Sequence, residues 1–357
     1  MPKKIFFILF LMISSGTLIF VLSGNFSTYE TEKVSSLNSS NLTMMFTGDV
    51  MLSRGVNSAL ESNVNVFNDL TPLFKSSDMV IVNLEGPFTR ATNPTKSSYF
   101  FKVKPEYAKL LTENNIKVAF LANNHIMDYG EEGLDECIAT LQKNNISYAG
   151  AGSSLEEAIR PTYVEKNGST IAFINFMDRN SFLEYSSEEM PFATENRSGY
   201  APAEVELIKK SIGEAKNQSD FVVVSFHYGN EMTSSPNERQ YLLSRESIDA
   251  GADLVIGHHP HVIQKIENYK GKLIFYSLGN CIFDAVTPAA RKSMVVEFKL
   301  KKGDAEIILH PIYISNSQTF LMDQNNGEEF LSNLQSISSP GITIKNGKGI
   351  IFLKDYL

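Results

Sequence analysis

Short apolar runs, most of which end in Gly, Asn, Asp or His, constrain the fold of this 357-residue chain more than any other feature. They occupy residues 42–49, 78–86, 117–125, 170–176, 220–229, 252–261 and 272–280. Runs of this length, bounded by turn residues, are typical of strands in a largely buried sheet. Helical patterns lie between several of them, at residues 105–114, 131–144, 202–216 and 237–250. This alternation predicts βα units in an α/β domain.

Later segments add antiparallel features to this domain. The runs 293–300 and 305–314 are joined by Lys-Lys-Gly-Asp and predict a hairpin, so the sheets should be mixed. We place the main domain at 42–315 and a C-terminal extension that packs on it at 316–357. The extension has a helical stretch near 328–334 and a terminal apolar run, 349–354, that can add an edge strand. The polar segment 177–201 is either an insertion or a loop over the functional site.

Composition limits the classes of function. A hydrophobic content of 43% is enough for a substantial core, whereas a net charge of −8 offers no basic stripe for a nucleic acid. We therefore expect no nucleic-acid partner. Cys137 and Cys281 are too few for a disulfide framework and are expected to be buried thiols.

The N-terminus predicts export. Lys3 and Lys4 precede an uncharged apolar stretch over residues 5–22, a length between that of a signal peptide and that of a spanning helix. We favour an uncleaved hydrophobic helix that anchors the protein in the membrane, with cleavage and secretion as the alternative. In both cases the lysines hold their end in the cytoplasm and the rest lies outside. Residues 23–41, rich in Ser, Thr and Asn, are expected to form a flexible tether.

Histidines are concentrated at the predicted strand ends. Five of the six lie at or just beyond such ends, and three of these fall between Gly257 and His261. His259 and His261, two residues apart, can project to one side of an extended segment while His258 faces away. Because strand ends meet at one rim of a sheet, we expect a shared site there. Its candidate residues are Asp49, Glu85, Asn124, His125, His227, His259 and His261.

Imidazoles mixed with carboxylates suit divalent Mn, Zn or Fe. A shared carboxylate can bridge two ions roughly 3.5 to 4 Å apart, and such a pair activates water and binds a phosphoryl group. We therefore predict one or two divalent metal ions as cofactor.

Six ordered blocks extend this interpretation. They are TGDVML (47–52), NLEGP (83–87), LANNHIMDYG (121–130), SFHYGNE (225–231), GADLVIGHHPHV (251–262) and YSLGNCIFD (276–284). Together they resemble the CapA family of poly-γ-glutamate capsule biosynthesis proteins, which is similar in turn to calcineurin-like metallophosphoesterases. The resemblance implies a four-layer α/β/β/α sandwich.

The resemblance also implies roles for the site residues. Asp49 and His261 would bind a first ion, Glu85 would bridge, and a second ion would be bound by the remaining ligands, Asn124, His227 and His259. His125 would be catalytic, protonating a leaving oxygen or steadying the transition state. Apart from the resemblance, the residues expected to orient the ligands are Asn83, Asp128, Glu231, Asn280 and Asp284, and an ordinary turn role is the alternative for Asn83, Asn280 and Asp284.

The chain departs from the phosphoesterase pattern at two positions. Met51 stands where that pattern has a histidine, and the bridging residue is Glu85 rather than an aspartate. The first ion is therefore one ligand short, which favours a mononuclear or weakly loaded centre.

Three functions follow as hypotheses. The first is a cell-surface protein of poly-γ-glutamate synthesis or export, attached to the membrane and working with other subunits, with a metal-activated water attacking a phosphoryl or amide centre. The second is a secreted metal-dependent phosphatase for small phosphoesters. The third is a non-catalytic polymer-binding subunit.

Overall fold

The computed structural model describes residues 18–22, 25–29, 41–95, 99–181, 190–285, 287–301, 303–354 and 356. The chain divides into two compact units, residues 1–35 and 36–357.

The first unit contains a two-stranded antiparallel pair. Strand β1 (Leu18–Leu22) pairs with β2 (Asn25–Tyr29) in the register Leu18↔Tyr29 to Leu22↔Asn25. The predicted N-terminal helix falls mainly on residues 1–17, outside the described residues. Among the described residues, strand β1 covers 18–22 and strand β2 covers 25–29 of the predicted tether, and both segments contain β-branched and aromatic residues that favour strands. None of the helices in the described part of the chain combines the length and the apolar character that crossing a membrane requires.

The second unit is built on two large sheets. The first sheet has ten strands: β3 (Asn41–Val50), β4 (Met79–Leu84), β5 (Ile116–Phe120), β6 (Ser147–Ala149), β15 (Asn280–Ile282), β16 (Lys292–Lys301), β17 (Asp304–Ser315), β18 (Gln318–Leu321), β19 (Thr343–Lys345) and β20 (Lys348–Leu353). Their order is β19-β20-β17-β16-β3-β4-β5-β6, with β15 added to β3 and β18 to β17. Strands β3 to β6 are parallel, whereas β16, β17 and β20 are antiparallel. The predicted hairpin β16–β17 and the mixed sheet are confirmed.

The second sheet has six strands: β8 (Thr162–Lys166), β9 (Ser169–Met177), β11 (Phe221–His227), β12 (Leu254–His258), β13 (Ile266–Tyr269) and β14 (Lys272–Phe275). Their order is β13-β14-β12-β11-β9-β8, with the four central strands parallel. Two short strands, β7 (Ala151–Gly152) and β10 (Gly199–Tyr200), pair separately.

Eight α-helices accompany the sheets: α1 (Arg54–Glu61), α2 (Leu70–Lys75), α3 (Ala108–Glu113), α4 (Gly130–Lys143), α5 (Leu155–Ile159), α6 (Val205–Gln218), α7 (Glu238–Asp249) and α8 (Gln324–Ile337) in the described part of the chain. The four helices predicted between strands are present as α3, α4, α6 and α7. Helix α7 begins with a capping box in which the side chains of Asn237 and Gln240 satisfy each other's backbone N–H groups.

Three apolar clusters define four layers. Phe46 and Val118 of the first sheet face Phe173 and Val223 of the second in a core between the sheets. The outer face of the first sheet packs against α1 to α4, and that of the second packs against α5 to α7. The predicted α/β/β/α sandwich is confirmed. Central strands are thus buried on both faces, which explains their continuous apolar runs.

The C-terminal segment joins the first sheet. Strand β20 pairs with β17 on one side and β19 on the other. The terminal strand is therefore present, but β19 and not β20 forms the edge. Asn346 and Gly347, both with positive φ, connect the two strands, and an Asn-Gly pair is a strong hairpin signal that the sequence already contained.

Candidate metal centre

The six predicted ligands lie together where parallel strands of both sheets end. Asp49 is near the end of β3, Glu85 follows β4 and Asn124 follows β5. In the other sheet His227 is the last residue of β11, and the segment with His259 and His261 follows β12.

Two glycines let the backbones approach closely at this rim. A Cβ atom on Gly48 would lie 2.0 Å from the carbonyl oxygen of Gly279, and one on Gly257 would lie 2.1 Å from that of Tyr276. The close approach at Gly48 allows the N–H of Asp49 to donate to the Gly279 oxygen at 2.9 Å. The glycine before Asp49 thus permits this backbone hydrogen bond.

One group of donor atoms consists of Asn124, His227 and His259. Nε2 of His227 lies 2.8 Å from Oδ1 of Asn124 and 3.1 Å from Nδ1 of His259. Two ligands bound to one ion at roughly 2.1 Å lie about 3 Å apart, so these atoms have the spacing of a ligand set. Nε2 of His259 lies 2.8 Å from the carbonyl oxygen of Ser181. That oxygen can only accept, so Nε2 carries the hydrogen and Nδ1 has the lone pair for an ion.

The second group consists of Asp49, Glu85 and His261, with one donor atom of each within 4.8 Å of the others. Oδ2 of Asp49 is 3.2 Å from Nδ1 of His261, and Oε1 of Glu85 is 3.7 Å from its Nε2. Both carboxylates are fully buried. Both oxygens of Glu85 accept no hydrogen bond from the described residues, and Oδ2 of Asp49 has only the His261 imidazole beside it. Because buried carboxylate oxygens require a partner, these atoms fit a divalent cation.

Burial favours the neutral form of the histidines in the first group. Burial, assisted by the charge of His261, lowers the pKa of His259 to about 3. Burial and the nearby His259 hold the pKa of His227 well below its ordinary value. A metal-ligating imidazole must be neutral, so both meet this condition.

The two carboxylates of the second group favour a positive charge on His261. Burial raises the pKa of Glu85 to about 8, with the charge of His261 opposing and that of Asp49 adding to the effect. Burial also disfavours ionisation of Asp49, but the hydrogen bond and charge of His261 outweigh it and lower its pKa. Burial opposes the charged form of His261, yet Glu85 and Asp49 raise its pKa to about 10. A cation bound here would take the place of that proton.

His125, the predicted catalytic residue, faces Glu85. Its Nδ1 lies 2.7 Å from Oδ2 of Asp128, and its Nε2 lies 3.8 Å from Oε1 of Glu85. The Asp128 carboxylate also accepts the Phe101 N–H at 2.7 Å. The Phe101 ring stacks on His125 with centroids 3.7 Å apart. The expected orienting role of Asp128 thus has a structural basis.

Two predicted orienting residues contact the ligands directly. Nδ2 of Asn83 donates to Oδ1 of Asp49 at 2.8 Å. Oδ1 of Asn280 lies 2.8 Å from Nδ1 of His261. Glu231, which is exposed, has an oxygen within 4.8 Å of nitrogens of His259 and His261, so it can bind an ion as well as orient ligands.

Asp284 lies apart from the ligands. Its carboxylate pairs with Arg54 and accepts the Gly55 N–H at 3.1 Å. Among the described residues, Asp284 makes no hydrogen bond to a predicted ligand. Its contact with Arg54 instead links it to the pocket in front of the centre.

Two other histidines have structural roles. Nε2 of His258 lies 3.0 Å from the carbonyl oxygen of Thr47 and its Nδ1 lies 3.2 Å from Oγ of Ser225, so it faces away from the ligands as expected. His310 pairs with Glu297 at 2.8 Å within the first sheet.

Sequence reasoning missed several contributors. Asn123 donates to the Leu84 carbonyl oxygen at 2.8 Å, and its Oδ1 accepts the His125 N–H at 3.1 Å, which fixes the loop after β5. Its place next to Asn124 was the available signal. Ser181 belongs to the polar segment 177–201, and its contact with His259 agrees with a loop over the site. His259 and His261 have φ of 96° and 57°, a strained backbone that no residue pattern revealed.

A pocket of about 400 Å³ opens in front of the centre. It is lined by Arg54, Tyr99, Phe101, His125, Glu231, His261 and Phe283. The site thus combines candidate metal ligands, a histidine paired with a carboxylate, and space for a ligand.

Several known proteins are similar to this chain. The chain is 38% identical to the PGA biosynthesis protein CapA of Bacillus subtilis (strain 168), over 80% of this chain and 75% of that protein. It is 32% identical to the capsule biosynthesis protein CapA of Bacillus anthracis, over 80% of this chain and 71% of that protein. It also resembles the crystal structure of the calcineurin-like phosphoesterase YfkN from Bacillus subtilis, with 12% identity and a TM-score of 0.42 over 88% of this chain and 91% of that one. The model of the bacterial capsule synthesis protein PGA_cap matches residues 43–285, and the chain belongs to this family.

Proposed function

We propose that this protein acts at the cell surface in the synthesis or export of poly-γ-glutamate, and that its metal centre carries out a hydrolytic step there. Membership of the capsule synthesis family supports a role in the synthesis or export of this polymer. The observation that supports the chemistry is the convergence of Asn124, His227 and His259, whose donor atoms lie 2.8 and 3.1 Å apart.

Two groups of residues would bind the metal ions. Asp49, Glu85 and His261 would hold one ion, and Asn124, His227 and His259 would hold another. A bound divalent ion supplies an activated water and polarises a phosphoryl or amide oxygen.

His125 would deliver the proton to the leaving atom. Its hydrogen bond to Asp128 fixes the ring so that Nε2 faces Glu85. The stacked ring of Phe101 covers one face of the imidazole and shields it from water. Both contacts hold the proton donor in a single orientation, which general acid catalysis requires.

The alternative of a secreted phosphatase for small phosphoesters has less support. Met51 is fully buried, and its sulfur lies 3.0 Å from the backbone nitrogen of Ser53. A thioether is a poor ligand for Mn, and this one is engaged within its own turn. The first ion would therefore have one imidazole fewer than in the phosphoesterase pattern, which argues against rapid turnover of small esters.

We also propose that the N-terminal segment attaches the protein to the membrane. Lys3, Lys4 and the apolar stretch 5–22 support an uncleaved anchor with the domain outside the cell. Cleavage would leave the protein secreted. Other subunits for polymer synthesis or export are the expected partners.

Complementation of a deletion strain tests the function. The wild-type chain is expected to restore poly-γ-glutamate production, and His259→Ala is expected not to. His310→Gln, which alters a buried histidine outside the centre, is the matched control and should restore production. Purified protein should be assayed in parallel for hydrolysis of small phosphoesters with Mn, Zn or Fe. Metal-dependent turnover by a chain that fails to restore polymer would contradict the proposal and favour a phosphatase.

A polymer-binding role without catalysis has its own outcome. His125→Ala keeps the predicted ligands intact but removes the proposed proton donor. If His125→Ala restores polymer production fully, the hydrolytic part of the proposal is wrong and the third hypothesis gains support.

A further inference from the structure

Arg54 lies at the pocket in front of the metal centre. Its guanidinium carbon is 4.8 Å from the ring centre of Phe101 and 5.5 Å from that of Phe283. The Phe101 ring stacks on His125, and the Phe283 ring centre is 5.0 Å from that of His261. The two rings that contact Arg54 thus also contact the two imidazoles that face Glu85.

Asp284 fixes the orientation of this guanidinium. Nε of Arg54 donates to Oδ2 of Asp284 at 3.2 Å, and Nη2 donates to Oδ1. A bidentate pair of this kind uses one edge of the guanidinium plane. Nη1 makes no hydrogen bond to the described residues, so its two hydrogens remain for a ligand.

The backbone of Arg54 is strained. Its φ is 48°, in the left-handed region that a residue with a side chain rarely adopts. Conformations of this kind concentrate at functional sites, where the surrounding contacts hold them in place. The hydrogen bond from the next residue, Gly55, to Asp284 holds the chain in this position.

Charge distinguishes Arg54 from the rest of the pocket. Among the described residues that line it, Arg54 alone has a permanent positive charge, whereas Glu231 is acidic. Glu85 and Asp49 lie behind them. An anionic group that approaches the centre therefore needs a cation in the pocket, and a guanidinium matches the planar geometry of oxyanions.

We propose that Arg54 binds an oxyanion of the ligand at this centre, either carboxylate or phosphoryl oxygens, and that Asp284 is its positioning residue. The inference deepens the proposed function, on which it rests for the presence of a ligand in the pocket. It gives the pocket a chemical selectivity that the metal ligands alone do not provide.

The chain contains a matched control for Arg54. Nε and Nη2 of Arg245 donate to Oε1 of Glu267 at 3.0 and 2.7 Å. Its guanidinium carbon lies 5.0 Å from the ring centre of Tyr241 and 5.3 Å from that of Tyr269. Arg245 on helix α7 thus also pairs with a carboxylate and contacts two aromatic rings, but it lies outside the pocket.

Titration of the full-length protein with inorganic phosphate and with glutarate tests the inference, after incubation with Mn²⁺ and measurement of metal content. Arg54→Gln is expected to weaken binding of at least one probe about 10- to 100-fold, as the loss of a charge-assisted hydrogen bond does. Arg54→Lys should recover part of the affinity, and Asp284→Asn should weaken it less than Arg54→Gln. Arg245→Gln should bind both probes as the wild type does. The probe that depends on Arg54 identifies the group as phosphoryl or carboxylate.

Two results would overturn the inference: a wild-type protein that binds neither probe, or an Arg54→Gln variant that binds both unchanged. Metal content separates this failure from failure of the proposed function. A chain that takes up no Mn²⁺ but binds a probe through Arg54 keeps the inference and removes the metal-dependent part of that function.

Discussion

Nδ1 of His259 lies 3.1 Å from Nε2 of His227, although the two histidines are 32 residues apart and belong to different βα units. His258, the neighbour of His259, instead contacts the carbonyl oxygen of Thr47 in the other sheet. Of these two neighbours, His259 therefore faces the candidate metal centre, and His258 joins the two sheets.

Substitutions of His259 and His258 should therefore affect different properties of the protein. His259→Ala removes a proposed ligand and is expected to weaken Mn²⁺ or Zn²⁺ binding by about 100-fold or more, since loss of even an indirect contact costs 10- to 100-fold. His258→Gln should keep the metal affinity but lower the free energy of unfolding by about 1–3 kcal/mol, because it disturbs a buried hydrogen bond. Calorimetric titration with metal and urea denaturation measure the two effects. Equal metal affinities for the two variants would contradict the assignment.

The residues that orient the ligands should matter less than the ligands. Asn280→Ala removes the partner of Nδ1 in His261, so metal affinity should fall about 10- to 100-fold. Asn326→Ala, an exposed substitution at the start of α8, serves as the control and should leave the affinity unchanged. An Asn280→Ala variant with wild-type affinity would show that this hydrogen bond does not support the centre.

Because the backbones approach closely at the rim of the sheets, one added methyl group at Gly48 should destabilise the protein. Gly48→Ala places a Cβ atom 2.0 Å from the Gly279 carbonyl oxygen, so we expect the free energy of unfolding to fall by about 1–3 kcal/mol or more. Gly213→Ala is the control, since its Cβ has no neighbour within 4 Å and it lies inside helix α6. Alanine there should stabilise the protein by about 0.5–1 kcal/mol. Thermal or urea unfolding of the two variants should shift in opposite directions.

Metal removal should destabilise the folded chain. An ion that binds only the native state stabilises it by about 2.7 kcal/mol at a concentration of 100 Kd. Treatment with a chelator is therefore expected to lower Tm, and added Mn²⁺ should restore it. The His259→Ala variant should show a smaller response, and an equal response would indicate that the ion binds elsewhere.

Acid sensitivity should depend partly on Glu297 in the first sheet. Burial would raise its pKa, but hydrogen bonds with His310 and Lys299 outweigh burial and lower it. A carboxyl whose pKa is lower in the folded state contributes stability above its unfolded pKa and loses it as pH falls through the folded value. Glu297→Gln should therefore destabilise the protein near pH 7 and reduce the further loss of stability below about pH 4. If the free energy of unfolding changed equally with pH in the wild type and the variant, this role of Glu297 would be contradicted.

The fold and the convergence of the candidate ligands were largely predictable from the sequence for one physical reason. Strands buried on both faces appear as continuous apolar runs, and the polar residues at their ends must meet at one rim. Asp49, Asn124, His227 and His259 follow this rule. That these atoms bind an ion stays a prediction.

Contacts that depend on tertiary structure could not be predicted. Arg54 and Asp284 are 230 residues apart, so no local pattern indicated that Asp284 holds an arginine rather than a ligand. Ser181 contacts His259 through its backbone oxygen, which its side chain does not reveal. The edge position of β19 depends on pairing with β20, for which the Asn-Gly turn was the only local signal.

The anomalous difference map of crystals grown with Mn²⁺ tests the central claim most directly. The account predicts a peak within about 2.0–2.3 Å of Nε2 of His227 and Nδ1 of His259, on the side of Oδ1 of Asn124. A well-ordered crystal with these three side chains in place and no peak among them would contradict it.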